Sequence, residues 1–399
     1  MSSNNIKEEL NIDNLSKYLN INNLSTNEQI NLNQKYISYY KTQPNYPIIL
    51  MQIIINNDNK PNINSDIKLN ASIQLKNFIK NYWKFSEQKN NNNFNNNINN
   101  DIIIINENIK KNIKENIIDV ILYSITNNEK KVIKQLTQTI KYILYYNFEN
   151  LFSFYGLKLK NFLEQNDQNK IYCSLLILFK LSKIYENENF EKKKIYYNFI
   201  KNYVVNLLLD ILSKSNDLNN QIHCMFIYKI IKIFYKTLIH MNNLNIDILF
   251  NNNEQFEKLF SFLFFYIQSK IINKNFDDII FKIKEISFNF LEKILRKFTP
   301  SKKQINNDNN DENVNKYLYE NFRLKLYETV KIIFINKNEN IYYINNKCKC
   351  IIYKLLTFYL NRKYDDIKED ILNIFINNNN NNLTVNISIL LKIMSLIYY

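Results

Sequence analysis

The 399-residue chain contains a single glycine, Gly156, and four prolines. Antiparallel sheets depend on tight turns, and tight turns depend on glycine, proline and Asp-Gly steps. Phosphate-binding loops of the Walker or dinucleotide type need several glycines at fixed spacing. The near-absence of glycine therefore argues against β-sandwiches, β-barrels and doubly wound α/β folds, and it removes these two kinds of nucleotide site. Because 46% of the residues are hydrophobic, the chain is nevertheless expected to be globular.

Apolar residues recur at helical spacing along most of the chain, with Lys, Asn and Glu between them. Residues at i, i+4, i+7 and i+8 lie on one face of an α-helix, so each set predicts an amphipathic helix. Four such stripes are Ala71, Leu75, Phe78, Ile79 and Tyr82; Ile109, Ile113, Ile117, Val120 and Ile121; Val132, Leu136, Ile140, Ile143 and Leu144; and Ile222, Phe226, Ile230, Ile233 and Phe234.

Short breaks rich in Asn, Asp and Ser divide these helices into pairs. The predicted pairs span 12–42, 45–83, 102–146, 148–185, 192–240, 254–298, 315–361 and 365–398. A period of roughly 40–50 residues is typical of HEAT and armadillo repeats, in which each helix pair buries its apolar faces by stacking on its neighbours. We therefore predict an all-α fold, a right-handed superhelical solenoid of HEAT/armadillo-like helix pairs. Helix spacing alone also allows an irregular all-α domain.

Three asparagine-rich segments, 89–100, 306–315 and 377–382, interrupt this array. The entropy of closing a loop grows slowly with its length, so a repeat array tolerates such insertions. We expect them to be surface loops rather than domain boundaries.

Few side chains could support catalysis or bind a metal. The only histidines, His223 and His240, fall in one predicted helix, so a nucleophile–histidine arrangement is not expected. The cysteines are Cys173, Cys224, Cys348 and Cys350. Cys348 and Cys350 are separated by one residue. No second pair of cysteines or histidines lies nearby to complete a zinc site, which argues against zinc binding. We therefore predict that the protein is not an enzyme, binds no metal and uses no cofactor.

The formal net charge is +15, from 52 Lys+Arg against 37 Asp+Glu. Only Arg296, Arg323 and Arg362 are arginines, whereas nucleic-acid surfaces favour the arginine fork. Because asparagine, isoleucine, lysine and tyrosine all have A/T-rich codons and are all abundant, codon bias explains the basic excess at least as simply as a functional surface does. Nucleic acid is therefore not the expected partner. No signal region and no run of 18 uncharged apolar residues occurs, so membrane insertion is not expected either.

An apolar helix followed by an amphipathic helix that ends in tryptophan marks the N-terminal region. Segment 44–55 reads Pro-Asn-Tyr-Pro-Ile-Ile-Leu-Met-Gln-Ile-Ile-Ile, and segment 66–83 ends at the only tryptophan. Together they resemble the N-terminal domain of the importin-β family of nuclear transport receptors, where the second helix reads R-x-x-A-x-x-x-L-K-N-x-I-x-x-x-W. The residues in register with this pattern are Lys68, Ala71, Leu75, Lys76, Asn77, Ile79 and Trp83.

The resemblance extends over residues 24–298 and is closest to the importin seven and importin eight subfamily. Segments 172–186, 227–238 and 284–298 resemble helices of its fourth to sixth repeats. The resemblance implies that the chain has three parts. Residues 1–100 form a pair of repeats like the importin N-terminal domain, with the Asn-rich loop; residues 101–298 form repeats three to six; and residues 299–399 form more divergent HEAT-like repeats.

The chain also departs from the family pattern. The family's D-Y-P-x-x-W turn is replaced at 147–152 by Asn-Phe-Glu-Asn-Leu-Phe. Its receptors are usually acidic and about twice this long, so a fragment, a split gene and a degenerate paralogue all fit the chain.

The resemblance implies a receptor that binds Ran in its GTP form, protein cargo and nucleoporins, and moves between cytoplasm and nucleus through the pores. The helices expected to face Ran are 30–42, 66–83 and 129–146. Within helix 66–83, Lys76, Asn77 and Lys80 are the candidate Ran-GTP contacts. Ala71, Leu75 and Trp83 are expected to lie in the hydrophobic core of the repeat. The direction of transport and the cargo stay open. The alternative function is a HEAT-repeat scaffold without transport activity, which binds acidic partners or nucleic acid through its lysines.

Overall fold

A computed structural model describes residues 8–20, 26–56, 63–83, 105–215, 217–239, 249–269 and 277–298. Within these ranges the chain forms twelve α-helices and no strand, so the all-α prediction is confirmed. The helices are α1 (Ile12–Leu19), α2 (Asn27–Lys41), α3 (Tyr46–Ile55), α4 (Ser65–Tyr82), α5 (Glu107–Thr126), α6 (Lys130–Glu164), α7 (Gln168–Tyr185), α8 (Phe190–Phe199), α9 (Val205–Lys214), α10 (Gln221–Ile239), α11 (Asn253–Gln268) and α12 (Asp277–Phe298).

A π-helical turn, Ile200–Val204, joins α8 directly to α9. The predicted helix pairs 315–361 and 365–398, the three asparagine-rich segments, His240, Cys348 and Cys350 lie outside the described residues. No helix among the described residues is both long and apolar enough to cross a lipid bilayer.

Asparagine caps the start of several helices. The side chains of Asn11, Asn64, Asn106, Asn189 and Asn252 each accept a backbone N–H hydrogen bond at the start of a helix. An N-cap of this kind stabilises a helix by about 1 kcal/mol relative to alanine. In the turn between α5 and α6, Asn128 adopts a φ of 56°, which asparagine tolerates better than most residues. The asparagine excess thus has a structural use at helix ends.

Residues 1–187 and 188–399 form two compact units, and the described part of the first contains α1 to α7. In this unit α4 and the first half of α6 run in the same direction. Lys68 Nζ lies 3.1 Å from Glu129 Oε1 at the start of both helices, and Lys76 Nζ donates to Gln135 Oε1 at 2.9 Å further along. Parallel neighbours of this kind are the equivalent helices of consecutive repeats.

The second half of α6 packs in parallel with α5 instead. Tyr155 donates its hydroxyl to the carbonyl oxygen of Lys114 at 2.8 Å, and Lys158 Nζ lies 2.7 Å from Asp119 Oδ2. The two halves of α6 therefore have different neighbours, as expected for the last helix of one repeat and the first helix of the next.

The predicted boundary between helix pairs at 146–148 contains no non-helical residue, because α6 stays helical from Lys130 to Glu164. The chain nevertheless reverses direction within α6, since its first half is parallel to α4, its second half is parallel to α5, and α4 and α5 are antiparallel. The family's turn at this place contains a proline, which ends a helix by removing an N–H donor and clashing with the preceding turn. Here segment 147–152 contains no proline and no glycine, so the chain changes direction without a residue that breaks the helical hydrogen-bonding pattern.

The second unit contains α8 to α12 among its described residues and repeats the same geometry. Asn206 and Asp210 of α9 contact Gln255 and Lys258 of α11 at 2.6 and 3.8 Å, so these two helices are parallel. Helices α11 and α12 are antiparallel: Phe260 packs on Phe290, while Lys284 near the start of α12 donates to the carbonyl oxygen of Ile267 near the end of α11. These contacts are those of stacked antiparallel helix pairs.

The predicted apolar stripes form the core with three exceptions, one of which is Tyr82, half-buried at the end of α4. Ile222, at the start of α10, is 39% exposed. At the start of α5 Ile109 is only half-buried, whereas Lys110 is 1% exposed and takes the inward position. Lys110 Nζ is held 3.1 Å from Glu107 Oε1, so a charged side chain fills a place that the periodicity assigned to isoleucine.

Truncation of Leu75 to alanine tests the stacking of α4. Leu75 is fully buried, so Leu75→Ala is expected to cost about 3 kcal/mol and to lower the Tm of the first unit by about 6–12 °C. The matched control is Leu157→Ala, because Leu157 is 56% exposed and its loss should cost less than about 0.5 kcal/mol. Thermal unfolding followed by circular dichroism measures both, and equal Tm values for the two variants would contradict the core position of Leu75.

Candidate functional site

The three family-pattern residues expected in the core lie there. Ala71, Leu75 and Trp83 are completely buried. The indole ring of Trp83 packs under two lysines of α5, with Lys110 Nζ 5.5 Å and Lys114 Nζ 5.8 Å from its centroid. Such cation–π contacts add to the burial of a large ring, so Trp83 fixes the end of α4 against α5.

The three candidate contact residues lie along one strip of α4, since residues three and four apart are neighbours on a helix surface. Asn77 and Lys80 are exposed, while Lys76 is half-buried. The hydrogen bond from Lys76 to Gln135 ties this strip to the first half of α6. Lys76 therefore has a structural role in joining two repeats, whereas Asn77 and Lys80 present their polar groups to solvent.

The ion pair between Lys68 and Glu129 lies at the start of α4 and was not predicted from the sequence. Burial lowers the pKa of Lys68, but the hydrogen bond and negative charge of Glu129, with a smaller contribution from Tyr123, outweigh it and leave the pKa above its ordinary value. Lys68 Nζ also lies 5.3 Å from the ring centroid of Tyr123. Lysine replaces the arginine of the family pattern here, and its ammonium holds the start of α4 to the start of α6.

The third expected Ran-facing helix, 30–42, corresponds to most of α2. A capping box formed by Thr26 and Gln29 begins this helix. Its inner face packs on α1 through tyrosines: Tyr18 and Tyr36 stack with centroids 4.2 Å apart, and Glu8 accepts hydrogen bonds from Tyr18 and Tyr40 at 2.8 and 3.3 Å. Burial and the nearby carboxylate raise the pKa values of both phenols, which keeps them neutral donors.

Lys180 of α7 feels the positive charge of one lysine on its own helix and of two lysines on α6. Lys180 is half-buried, and its pKa is lowered by burial and then by the positive charges of Lys183, Lys141 and Lys134. We name Lys134, Lys141, Lys180 and Lys183 the lysine cluster. From the sequence the basic excess could be assigned only to the whole chain, because helical spacing alone does not bring together residues 46 positions apart.

The residues with catalytic or metal-binding chemistry are dispersed. Cys173 and Cys224 are buried free thiols, and burial raises the pKa of Cys224 to about 11. His223 is half-buried near the start of α10. Within the described ranges, no group of three or more His, Cys, Asp or Glu side chains is placed to hold a metal ion.

Antiparallel helix pairs whose equivalent helices run parallel define a helical-repeat protein of the HEAT type. Comparison with sequence families adds a more specific similarity: residues 34–123 match the importin-beta N-terminal domain. This stretch holds the second half of α2, all of α3 and α4, and most of α5. It therefore contains Lys76, Asn77, Lys80 and Trp83.

Comparison with solved structures finds Lph2, described as a bidirectional nuclear transport receptor of S. cerevisiae, with a TM-score of 0.50 and 15% sequence identity. The match covers 98% of this chain and 44% of the yeast chain, so this chain spans less than half the length of that receptor. At this identity the likeness concerns the fold. A search of curated protein sequences finds no match.

Removing one member of the buried ion pair tests how α4 is held to α6. Lys68→Met leaves the Glu129 carboxylate without its cation and is expected to cost about 3 kcal/mol. Adding Glu129→Gln should recover much of this loss, since the unpaired charge is then gone. Lys111→Met is the matched control, because the Lys111–Glu115 pair is exposed and 3.9 Å long. Thermal unfolding provides the measurement, and additive losses in the double variant would argue against a coupled pair.

Proposed function

We propose that the chain is a nuclear transport receptor of the importin-β type, or the N-terminal part of one, and that its first repeats bind Ran-GTP. The observation that carries this proposal is the match of residues 34–123 to the importin-beta N-terminal domain. In that family this domain is the region that binds Ran-GTP. The HEAT-type stacking of the helices, shared with the yeast receptor Lph2, supports it at the level of the fold.

The surface proposed for Ran is formed by α4, the first half of α6 and α2. Asn77 and Lys80 are the side chains best placed to contact a partner directly, because both are exposed on α4. Lys76 is proposed to act in two ways: it contributes charge at the edge of the surface, and its hydrogen bond to Gln135 holds α4 and α6 in register.

The proposed mechanism is selection between two states of a flexible array. A repeat protein flexes by small adjustments between neighbouring repeats, so two ligands that prefer different curvatures oppose each other's binding. Ran-GTP would favour one curvature and protein cargo another, which couples cargo release to Ran-GTP. Nucleoporin binding, and localisation to cytoplasm and nucleus with passage through the pores, belong to the same proposal. The closer relationship to the importin seven and importin eight subfamily and transport in the import direction are also proposals.

Nucleotide-dependent capture of Ran tests the proposal. Immobilised full-length chain is presented with Ran carrying a non-hydrolysable GTP analogue and, separately, with Ran-GDP, and binding is measured by biolayer interferometry. Selective binding of the GTP form is expected, and Asn77→Ala/Lys80→Ala should weaken it by about tenfold. Equal or absent binding by a folded, helical sample would overturn the receptor function and leave the HEAT-repeat scaffold as the alternative.

The control for this variant is Lys111→Ala/Asn112→Ala, which removes the same two residue types from an exposed part of α5. We expect it to bind Ran-GTP as the wild type does. If both double variants lose affinity equally, the loss reflects net charge, and the α4 strip is not the contact surface.

A further inference from the structure

We propose that Glu8 is a positioning residue for the Ran surface, because its carboxylate holds α2 against α1; this inference rests on the proposed Ran function. One oxygen, Glu8 Oε2, accepts hydrogen bonds from Tyr18 of α1 at 2.8 Å and from Tyr40 of α2 at 3.3 Å. Lys17 Nζ lies 3.8 Å from the other oxygen. Glu8 precedes the stretch 34–123 that matches the importin-beta N-terminal domain, so the family match does not include it.

Few side chains of α2 are buried. Of its 15 residues three are buried, Asn33, Ile37 and Tyr40, and the first of these is polar. Two further apolar side chains, Ile30 and Leu32, are 38% and 54% exposed. The neighbouring helix α3 buries six of its ten residues. Because burial of an apolar face supplies most of the stability of a helix in a protein, α2 depends more than α3 does on its polar contact through Tyr40.

Three tyrosine rings surround this contact. Tyr18 stacks on Tyr36 with centroids 4.2 Å apart, and the ring of Tyr40 lies 6.0 Å from the first and 6.4 Å from the second. Tyr40 is completely buried, so water is a poor substitute for Glu8 as the acceptor of its hydroxyl. Burial and the Glu8 carboxylate raise the pKa values of Tyr18 and Tyr40, which keeps both phenols protonated. Loss of Glu8 would leave a buried hydroxyl without its acceptor, and α2 would have to move for that hydroxyl to reach solvent.

The side of α2 that points away from Tyr40 is the polar side, where Gln34, Lys35 and Ser38 are exposed. A partner that binds this side needs α2 in its attached position. When the attached fraction falls, the apparent Kd for such a partner rises by the inverse of that fraction. Because so little of α2 is buried, a tenfold shift in its attachment changes the attached fraction itself. Glu8 thereby sets the affinity for Ran through α2.

Two measurements on the full chain test this role: hydrogen exchange of the α2 amides by mass spectrometry, and the Kd for Ran carrying a non-hydrolysable GTP analogue by biolayer interferometry. Glu8→Ala is expected to speed exchange in α2 by about tenfold and to raise the Kd by about threefold. Adding Tyr18→Phe and Tyr40→Phe removes the hydroxyls that lost their acceptor. The triple variant should therefore return both values to within about twofold of the wild type.

The matched control is Glu9→Ala, which removes the same charge from the next residue. Glu9 is exposed, and its hydrogen bond from Asn14 Nδ2 is to its backbone carbonyl oxygen, which alanine keeps. It should exchange and bind like the wild type, and equal effects of the two single variants would overturn the inference.

The two measurements separate the ways in which the inference can fail. Unchanged exchange in Glu8→Ala would overturn the attachment of α2 by Glu8. Faster exchange with unchanged Ran affinity would overturn its role in positioning the Ran surface. Absence of Ran-GTP binding by the wild type would overturn the proposed function and the Ran part of this inference with it, while the exchange rates still decide whether Glu8 holds α2.

Discussion

Every feature of the two units depends on one constraint: a pair of amphipathic helices cannot bury its apolar stripes without another pair stacked on it. The parallel contacts between equivalent helices satisfy this constraint in both units, through Lys68–Glu129 and Lys76–Gln135 in the first and through Asn206–Gln255 in the second. These polar contacts between stacked helices set the register of one helix against the next. Leucine, isoleucine and aromatic side chains such as Leu75 and Phe260 fill the space between the helices. Exposed surface for a partner is then available only on the sides that stacking leaves free.

The low glycine content has a consequence for how helices begin and turn. Asn64, Asn106 and Asn252 act as N-caps, and Asn128 takes the positive φ that a turn requires. An amide side chain offers the acceptor that a cap needs and tolerates left-handed backbone better than most residues do. A chain with one glycine can therefore form a regular helical fold, because asparagine serves at these caps and at this turn.

Much of the fold could be predicted because it is encoded locally. The stripe from Ala71 to Ile79 is buried as its spacing requires, and the pattern that ends at Trp83 located the region that matches the importin-beta N-terminal domain. The helical state of residues 146–148 was missed, because the passage from one helix pair to the next was expected to need a non-helical break, whereas here the chain changes direction within α6. Lys110 was missed because a long aliphatic stem can be buried when its ammonium has Glu107 and Trp83 as neighbours. The lysine cluster depends on tertiary packing of α6 on α7, which no periodicity describes.

The course of α6 links two successive repeats without a loop. Its first half is parallel to α4, its second half is parallel to α5, and α4 and α5 are antiparallel, so the chain reverses direction between the two halves while its residues stay helical. A loop at this place could change its length without moving the helices on either side, whereas a helical bend fixes the directions of both halves together. The contact of Lys76 with the first half and that of Tyr155 with α5 therefore depend on the geometry of the same short segment.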